Sequence, residues 1–364
     1  MSSSETDVRA ARTPTIAVTG AASGVGALLT ERLAASSEIK QVIALDERRG
    51  EVSEAQWHTL DVRDPAIADR LRGDGRPVDV VVHLALDLDL ETDPTARTAY
   101  NVRGAQTVLT AAAAAGVRRV VLCTSAMVYG ALPDNDVPLA EDAELRATAE
   151  ATGVGDLLEI ERLARRAPRA HPGLNVTVVR PAILVGGTDT ALTRHFESPR
   201  LLVVAGSRPC WQFCHIEDLV SALEYAALEK AEGELAVGCD GWLEQEEVEE
   251  LTGMRRMELP SAVALGAASR LHRLGLTPSP AGDLAYTMHP WVVSGRRLYE
   301  AGWRPEWTNE EVLAELLDEV SGRHTVAGRR LGRKDATAAG AAGATVALLG
   351  TAALVRRARK RRGL

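Results

Sequence analysis

One stretch near the start of the chain constrains it most: a short apolar run, a glycine-rich turn and a helix in immediate succession. Thr15-Ile16-Ala17-Val18 has the pattern of a buried parallel strand, and Ala27 to Ala35 has the apolar spacing of a helix. Between them lies Thr19-Gly20-Ala21-Ala22-Ser23-Gly24-Val25-Gly26. Glycines let the backbone turn tightly and approach a pyrophosphate, while the helix start offers it free N–H groups and a partial positive charge. Gly20, Ser23, Gly24, Val25 and Gly26 are therefore candidates to cradle a dinucleotide. The bland alternative is an ordinary strand-to-helix turn, and the next strand weighs against it. Gln41 to Leu45 is a second apolar run, and Asp46 stands at its end, 20 residues after Gly26. A carboxylate there accepts hydrogen bonds from ribose hydroxyls and repels a 2′-phosphate, which favours NAD over NADP. Arg48 and Arg49 follow closely and soften that preference.

The same rhythm continues along the chain. Val78 to His83, Arg119 to Thr124 and Leu174 to Val179 read as further buried strands. Thr95 to Ala115 reads as a long helix stopped by Gly116, and Ala147 to Ala167 as a helical region interrupted near Gly153 and Gly155. Strand and helix in alternation predict an α/β fold, a Rossmann-like doubly wound parallel sheet over residues 14–180. After Pro181 the pattern loosens into a smaller lobe at 181–322, with helices expected at 216–228, 243–251, 260–274 and 309–320. Trp211, Trp242, Trp291, Trp303 and Trp307 gather in this lobe, where core anchoring is the simpler role and a pocket wall the sharper one.

Charge divides the chain. From Arg323 onward there are 11 Lys or Arg against a single acid, Asp335, so this end carries +10 and the preceding residues −18 of the net −8. An acidic body argues against a nucleic-acid partner. Residues 1–13 are polar and read as disordered, with no secretory leader, and Cys123, Cys210, Cys214 and Cys239 lack dense spacing. Together these point to reduced thiols and a cytoplasmic setting. Cys210, Cys214 and His215 are too few and poorly spaced to predict a metal site.

Several segments, in order, resemble the extended short-chain dehydrogenase/reductases, in particular the NAD-dependent epimerase/dehydratase family. They are the glycine turn, Asp46, Asp61-Val62, His83-Leu84-Ala85, Asn101-Val102-Arg103-Gly104, Thr124-Ser125-Ala126-Met127-Val128-Tyr129-Gly130, Arg180-Pro181 and His215-Ile216-Glu217-Asp218-Leu219. The resemblance spans about residues 14–320. The turn itself, G-x-x-x-G-x-G, is closer to the shorter-chain branch. The resemblance implies that Asp61 and Val62 flank the adenine and that Leu84 and Ala85 line the floor of the cofactor groove. Asn101 joins the cofactor site, and Pro181 and Ile183 lie beside the nicotinamide. Ser125 matches the serine that hydrogen-bonds the substrate oxygen, and Asp218 has a structural role. It also implies NAD as cofactor, a small-molecule substrate, and pairing of two copies through helices such as Thr95 to Ala115.

One expected feature is missing. The family's chemistry uses a tyrosine and a lysine four residues apart on one helix, so that both share a face. Counting back from Glu161, these positions hold Gly153 and Leu157. None of the five tyrosines (Tyr100, Tyr129, Tyr225, Tyr286, Tyr299) is followed by lysine at that spacing, and no lysine lies between Lys40 and Lys230. Hydride transfer without its acid/base loses roughly 10²–10⁴ in rate. Two readings stand. In one, the chain binds the dinucleotide without standard turnover, as a sensor, scaffold or regulatory protein. In the other it is an oxidoreductase or epimerase on a sugar-nucleotide, steroid-like or lipid-like substrate, with an acid/base from elsewhere: Tyr129, Asp156 or Glu159.

The end of the chain raises a separate question. Ala336 to Val355 holds 20 uncharged residues between basic clusters at 323–335 and 356–364. At 1.5 Å per residue that length suffices to cross a bilayer. Three readings remain open for 336–364: a membrane anchor, a basic helix lying on an anionic cytoplasmic leaflet, or a solvated tail folded back on the acidic body.

Overall fold

The computed structural model describes residues 13–73, 77–150, 152–198, 200–274 and 281–321, with two short stretches at 325–326 and 329–330. The expected disorder of the first residues and the three readings of 336–364 fall outside the described residues. Among those described, no helix is long and apolar enough to cross a membrane.

The first half alternates strand and helix: β1 (Thr15–Thr19), α1 (Gly24–Ala35), β2 (Gln41–Asp46), β3 (Gln56–Thr59), α2 (Ile67–Arg72), β4 (Val80–His83), α3 (Pro94–Ala115), β5 (Arg119–Cys123), α4 (Gly153–Ala170) and β6 (Asn175–Pro181). Next come β7 (Ile183–Val185), β8 (Leu201–Val204), β9 (Cys210–Trp211), β10 (Phe213–His215), α5 (Ile216–Ala227) and β11 (Glu234–Val237). The chain closes through β12 (Leu243–Glu244), α6 (Gln245–Thr252), β13 (Arg256–Leu259), α7 (Ser261–Arg273), α8 (Arg296–Glu300) and α9 (Asn309–Val320).

Seven parallel strands form one sheet in the order β3-β2-β1-β4-β5-β6-β11. The order reverses between β1 and β4, and in a doubly wound sheet the crevice outside the strand C-termini at that switch point is where ligands bind. The central strands carry side chains buried on both faces (Ile16, Ala17 and Val18, and Val80, Val81 and Val82, are all 0% exposed), which is why they read as unbroken apolar runs. Helices α2, α3 and α4 cover one face and α1 and α5 the other. After Pro181 the chain returns to this sheet: α5 packs against α1, and β11 pairs with β6.

Local chemistry fixes the helix ends. Asp93 accepts the Thr95 and Ala96 N–H groups, Pro94 occupies the first helical position, and Gly116 ends α3 with φ +79. Helix α4 differs from its sequence pattern. It starts at Gly153 rather than near Ala147, because Thr152 caps it through the Gly155 N–H. Gly153 and Gly155 therefore stand in its first turn rather than interrupting it.

The smaller lobe is built from paired short strands, β7 with β10, β9 with β12 and β8 with β13, under α6, α7 and α9. Trp211, Trp291 and Trp303 are all buried and anchor cores, as the simpler sequence reading had it. Trp307 stacks on His215 at 3.8 Å, and Asp218 accepts the Glu306 and Trp307 N–H groups, tying α5 to the chain ahead of α9.

Candidate active site

The glycine turn is shaped by two close approaches and one opening. Gly20 has φ +70, and a Cβ there would sit 2.7 Å from the Ala85 nitrogen; at Gly26 it would sit 1.9 Å from the Gly20 carbonyl oxygen. Neither position admits a side chain. Gly24 also has positive φ, +53, but a Cβ there meets nothing within 4 Å. It is exposed beside Ser23, whose hydroxyl makes no capping bond, and half-buried Val25 packs into the core below. The turn thus presents bare backbone at the start of α1 to open space, the arrangement a pyrophosphate requires.

Asp46 lies at the end of β2 next to that turn. Its carboxylate accepts the Ala22 N–H at 3.0 Å and the Arg48 N–H at 3.1 Å, so it holds the turn while keeping lone pairs for a ribose. Asp61 is paired with Arg63, whose hydrogen bonds hold its carboxyl below the usual range. Val62 is 1% exposed and packs against Gly104 of α3, so of these two Asp61 is the more accessible.

The floor is set by Thr19, whose hydroxyl oxygen takes the Leu84 and Ala85 N–H groups and meets His83 Nδ1 at 2.8 Å. His83 is enclosed, and burial pushes it down to about 4, so it stays neutral. Asn101 is fully buried. It accepts the Asp87 N–H at 2.7 Å and donates to the Asp87 carbonyl and to Asp156. It shapes the loop after β4 instead of facing a ligand.

Ser125 follows β5 and is half-buried. Its oxygen accepts the Met127 N–H at 3.2 Å, which leaves its O–H to donate. Tyr129 is corrected as a substitute acid: it is 1% exposed, donates to the Glu141 carbonyl at 2.9 Å and accepts from Arg180 at 2.7 Å. Burial raises its pKa further. Asp156 is likewise spent, on Arg97 at 2.8 Å and Thr98 at 2.6 Å, and Glu159 pairs with Arg162. Pro181 and Ile183 are both buried where β6 passes into β7.

The register of α4 is pinned from within. Glu161, 1% exposed, accepts two bonds from Arg180 and one from Thr124, each 2.8 Å long. This ties α4 to β6 and to the residue before Ser125. With Glu161 so placed, Gly153 opens the helix, and Leu157, 4% exposed, packs into the core shared with α3. Among the elements the sequence reading missed, such as α2, β7 and α8, is the 3-10 turn Ala281–Thr287. It brings Asp283 and Tyr286 against the first turn of α4, and no motif in the sequence marks it. Tyr286 donates to the Met127 carbonyl at 2.7 Å, two residues after Ser125.

The sheet, its switch-point cleft and the glycine turn define a Rossmann-like protein of the extended short-chain dehydrogenase/reductase class. The chain belongs to the NAD dependent epimerase/dehydratase family, which it matches over residues 16–238. An uncharacterized protein of Mycobacterium tuberculosis is 31% identical over 314 residues, covering 83% of each chain. Among solved structures, the UDP-glucose 4-epimerase of Thermotoga maritima with UDP-glucose superposes with a TM-score of 0.62 at 19% identity, over 84% of this chain and 97% of that one. The Thermus thermophilus UDP-glucose 4-epimerase in complex with NAD gives 0.62 at 20% identity, over 85% and 99%. MoeE5 in complex with UDP-glucuronic acid and NAD gives 0.61 at 22% identity, over 84% and 98%.

Proposed function

We propose that the chain binds NAD in the switch-point cleft, together with a small-molecule ligand, and does not run the tyrosine–lysine proton relay. The observation that carries this is the chemistry of α4: Gly153 and Leu157 occupy the relay positions, and the buried Glu161 fixes their register. Asp46 beside the glycine turn supports NAD over NADP, because a carboxylate there repels a 2′-phosphate. The open space over Gly24 and the free hydroxyl of Ser23 support a pyrophosphate at the start of α1. Without the relay, hydride transfer falls by roughly 10²–10⁴, and the protein acts as a cofactor-dependent sensor or regulatory protein, weakly active or silent. UDP-sugars, present in similar solved structures, are the first ligands to try.

A second reading, an oxidoreductase or epimerase with a different acid/base, is favoured by one observation: Asp283 is a carboxyl with no hydrogen bond or ion pair among the described residues, and it lines a cavity at the first turn of α4. The test is calorimetry of NAD(H) and NADP(H) on the full chain beside Asp46→Ala and Gly24→Val. NAD binding lost in both variants supports the reading. NADP bound more tightly than NAD, or no dinucleotide bound, overturns it.

A further inference from the structure

We propose that α7 and the strand before it form a docking surface for an anionic lipid bilayer, a contact that lies on the membrane without crossing it. Nothing in it depends on what the switch-point cleft binds. Ala262 to Ala268 is an unbroken run of apolar and glycine residues, about two turns of α7, so every side of the helix is apolar there. A helix apolar all round is ordinarily buried. Here, among the described side chains of the helix, Ala264 alone is buried, in a small cluster with Val204 and Met288 that stands apart from the main cores. Val263 and Leu265, about 100° to either side of Ala264 around the helix, stay 39% and 40% exposed, and Leu274 at its end is 71% exposed. With Met257 of β13, these are four of the eight large apolar side chains exposed among the described residues.

Charge decides what covers this face. Between residues 251 and 282, Arg255, Arg256, Arg270 and Arg273 stand against the single acid Glu258, a net +3 inside a body, 1–322, that carries −18. Arg256 is neutralised by Glu249 and Glu258. Arg255, Arg270 and Arg273 pair with no acid among the described residues, and Arg273 donates only to the Ser269 carbonyl of its own helix, at 3.2 Å. Two occupants are disfavoured by sign. A second copy of this chain, across a two-fold axis, would set the basic patch against its own image. The chain's own end, +10 from Arg323 onward, is basic too. Lipid phosphates suit both parts of the patch: the apolar side chains enter the headgroup boundary, while the arginines reach the phosphates on their methylene stems.

The 13 residues of α7 are about 20 Å long at 1.5 Å per residue. The hydrocarbon core is about 30 Å thick, so the helix lies in the interface. Interfacial binding grows with buried apolar area and with electrostatic attraction, so a second basic segment adds to the first. The chain supplies one of the same chemistry: Arg356, Arg357, Arg359, Lys360, Arg361 and Arg362 follow the uncharged run Ala336 to Val355. At up to about 3.3 Å per residue, the chain between Ser321 and Arg356 is long enough for that cluster to reach the surface that α7 touches.

The test is flotation of the full chain with two kinds of vesicle, paired with hydrogen exchange of the bound protein. One kind is phosphatidylcholine alone, and the other holds about 30% phosphatidylglycerol. The expected result is binding to the anionic vesicles only, with slowed exchange of the α7 amides. Val263→Ser/Leu265→Ser and Arg270→Gln/Arg273→Gln should each weaken it, the arginine pair on the order of tenfold. Thermal unfolding should stay unchanged, because all four side chains are exposed. Flotation that these variants do not weaken, with α7 exchange unaltered, means that the basic end binds alone and overturns the proposal. Equal binding to both vesicles overturns it, as does binding to neither, which would turn the search to an acidic protein surface. Slow α7 exchange without vesicles, together with a doubled mass in solution, would show that a second copy covers the helix and overturns it too.

Discussion

Glu161→Gln tests the element that fixes the site's register. Glu161 and Arg180 are each about 1% exposed at the side chain, and the carboxylate takes three hydrogen bonds, two from Arg180 and one from Thr124. The glutamine keeps the shape and removes the charge. Arg180 then stays ionised in the core with neutral partners alone: the glutamine oxygen, the Tyr129 hydroxyl and the Glu141 carbonyl. Breaking one side of a buried pair costs about 3–5 kcal/mol, because the remaining charge is uncompensated. In urea unfolding this appears as a lower midpoint at unchanged slope. The double variant Glu161→Leu/Arg180→Met removes both charges and should recover most of the loss, since replacing a whole buried pair by apolar groups is often near neutral. A single-variant loss below about 1 kcal/mol would refute the reasoning, as would losses that simply add in the double variant. Either result would mean that the pair is hydrated or that α4 is held by packing alone.

Further outcomes follow from the same geometry. Gly155→Ala should destabilise by more than about 1 kcal/mol in thermal unfolding, since its Cβ would lie 1.9 Å from the Glu150 carbonyl. Gly153→Ala, two residues earlier, meets open space and should be neutral or gain up to about 1 kcal/mol. Gly26→Ala should impair folding, while Gly24→Ala, at φ +53 in open space, should cost about 1 kcal/mol of strain and weaken NAD binding in calorimetry. Asp283 is protonated more readily when folded than the usual 3.8, at about 6. Its stabilising contribution is complete below the unfolded value and is lost as pH rises through the folded one. Asp283→Asn should therefore gain on the unaltered protein between about pH 4 and about pH 7, by on the order of 2 kcal/mol, in urea midpoints measured across that range.

Much of this molecule could be read before any coordinate. The unbroken runs Ile16-Ala17-Val18 and Val80-Val81-Val82 could only be strands covered on both faces, and strands of that kind between helices dictate a parallel sheet. The glycines at 20, 24 and 26 and the acid at 46 encode backbone geometry and a charge at a fixed distance along the chain, so they are legible as local pattern. That no tyrosine is followed by lysine four residues later was equally legible, because an i, i+4 pair on a helix is a statement about sequence.

What the sequence could not show is which polar side chains are already spent. Tyr129 sits four residues after Ser125 and looked like a substitute acid, yet Arg180 and Glu141, 51 and 12 residues away, consume its hydroxyl. Asn101, part of a motif associated with the cofactor, turns inward to the loop at Asp87. Asp283 has no motif and reaches the cavity at the start of α4 through a 3-10 turn of the smaller lobe, 130 residues from Gly153 in sequence. By itself the sequence determined the sheet, the dinucleotide turn and the missing pair, because each depends on residues near one another along the chain. The tertiary structure alone decided which polar side chains are already spent, because hydrogen bonds between residues distant in sequence settle that, and they form only in the folded chain.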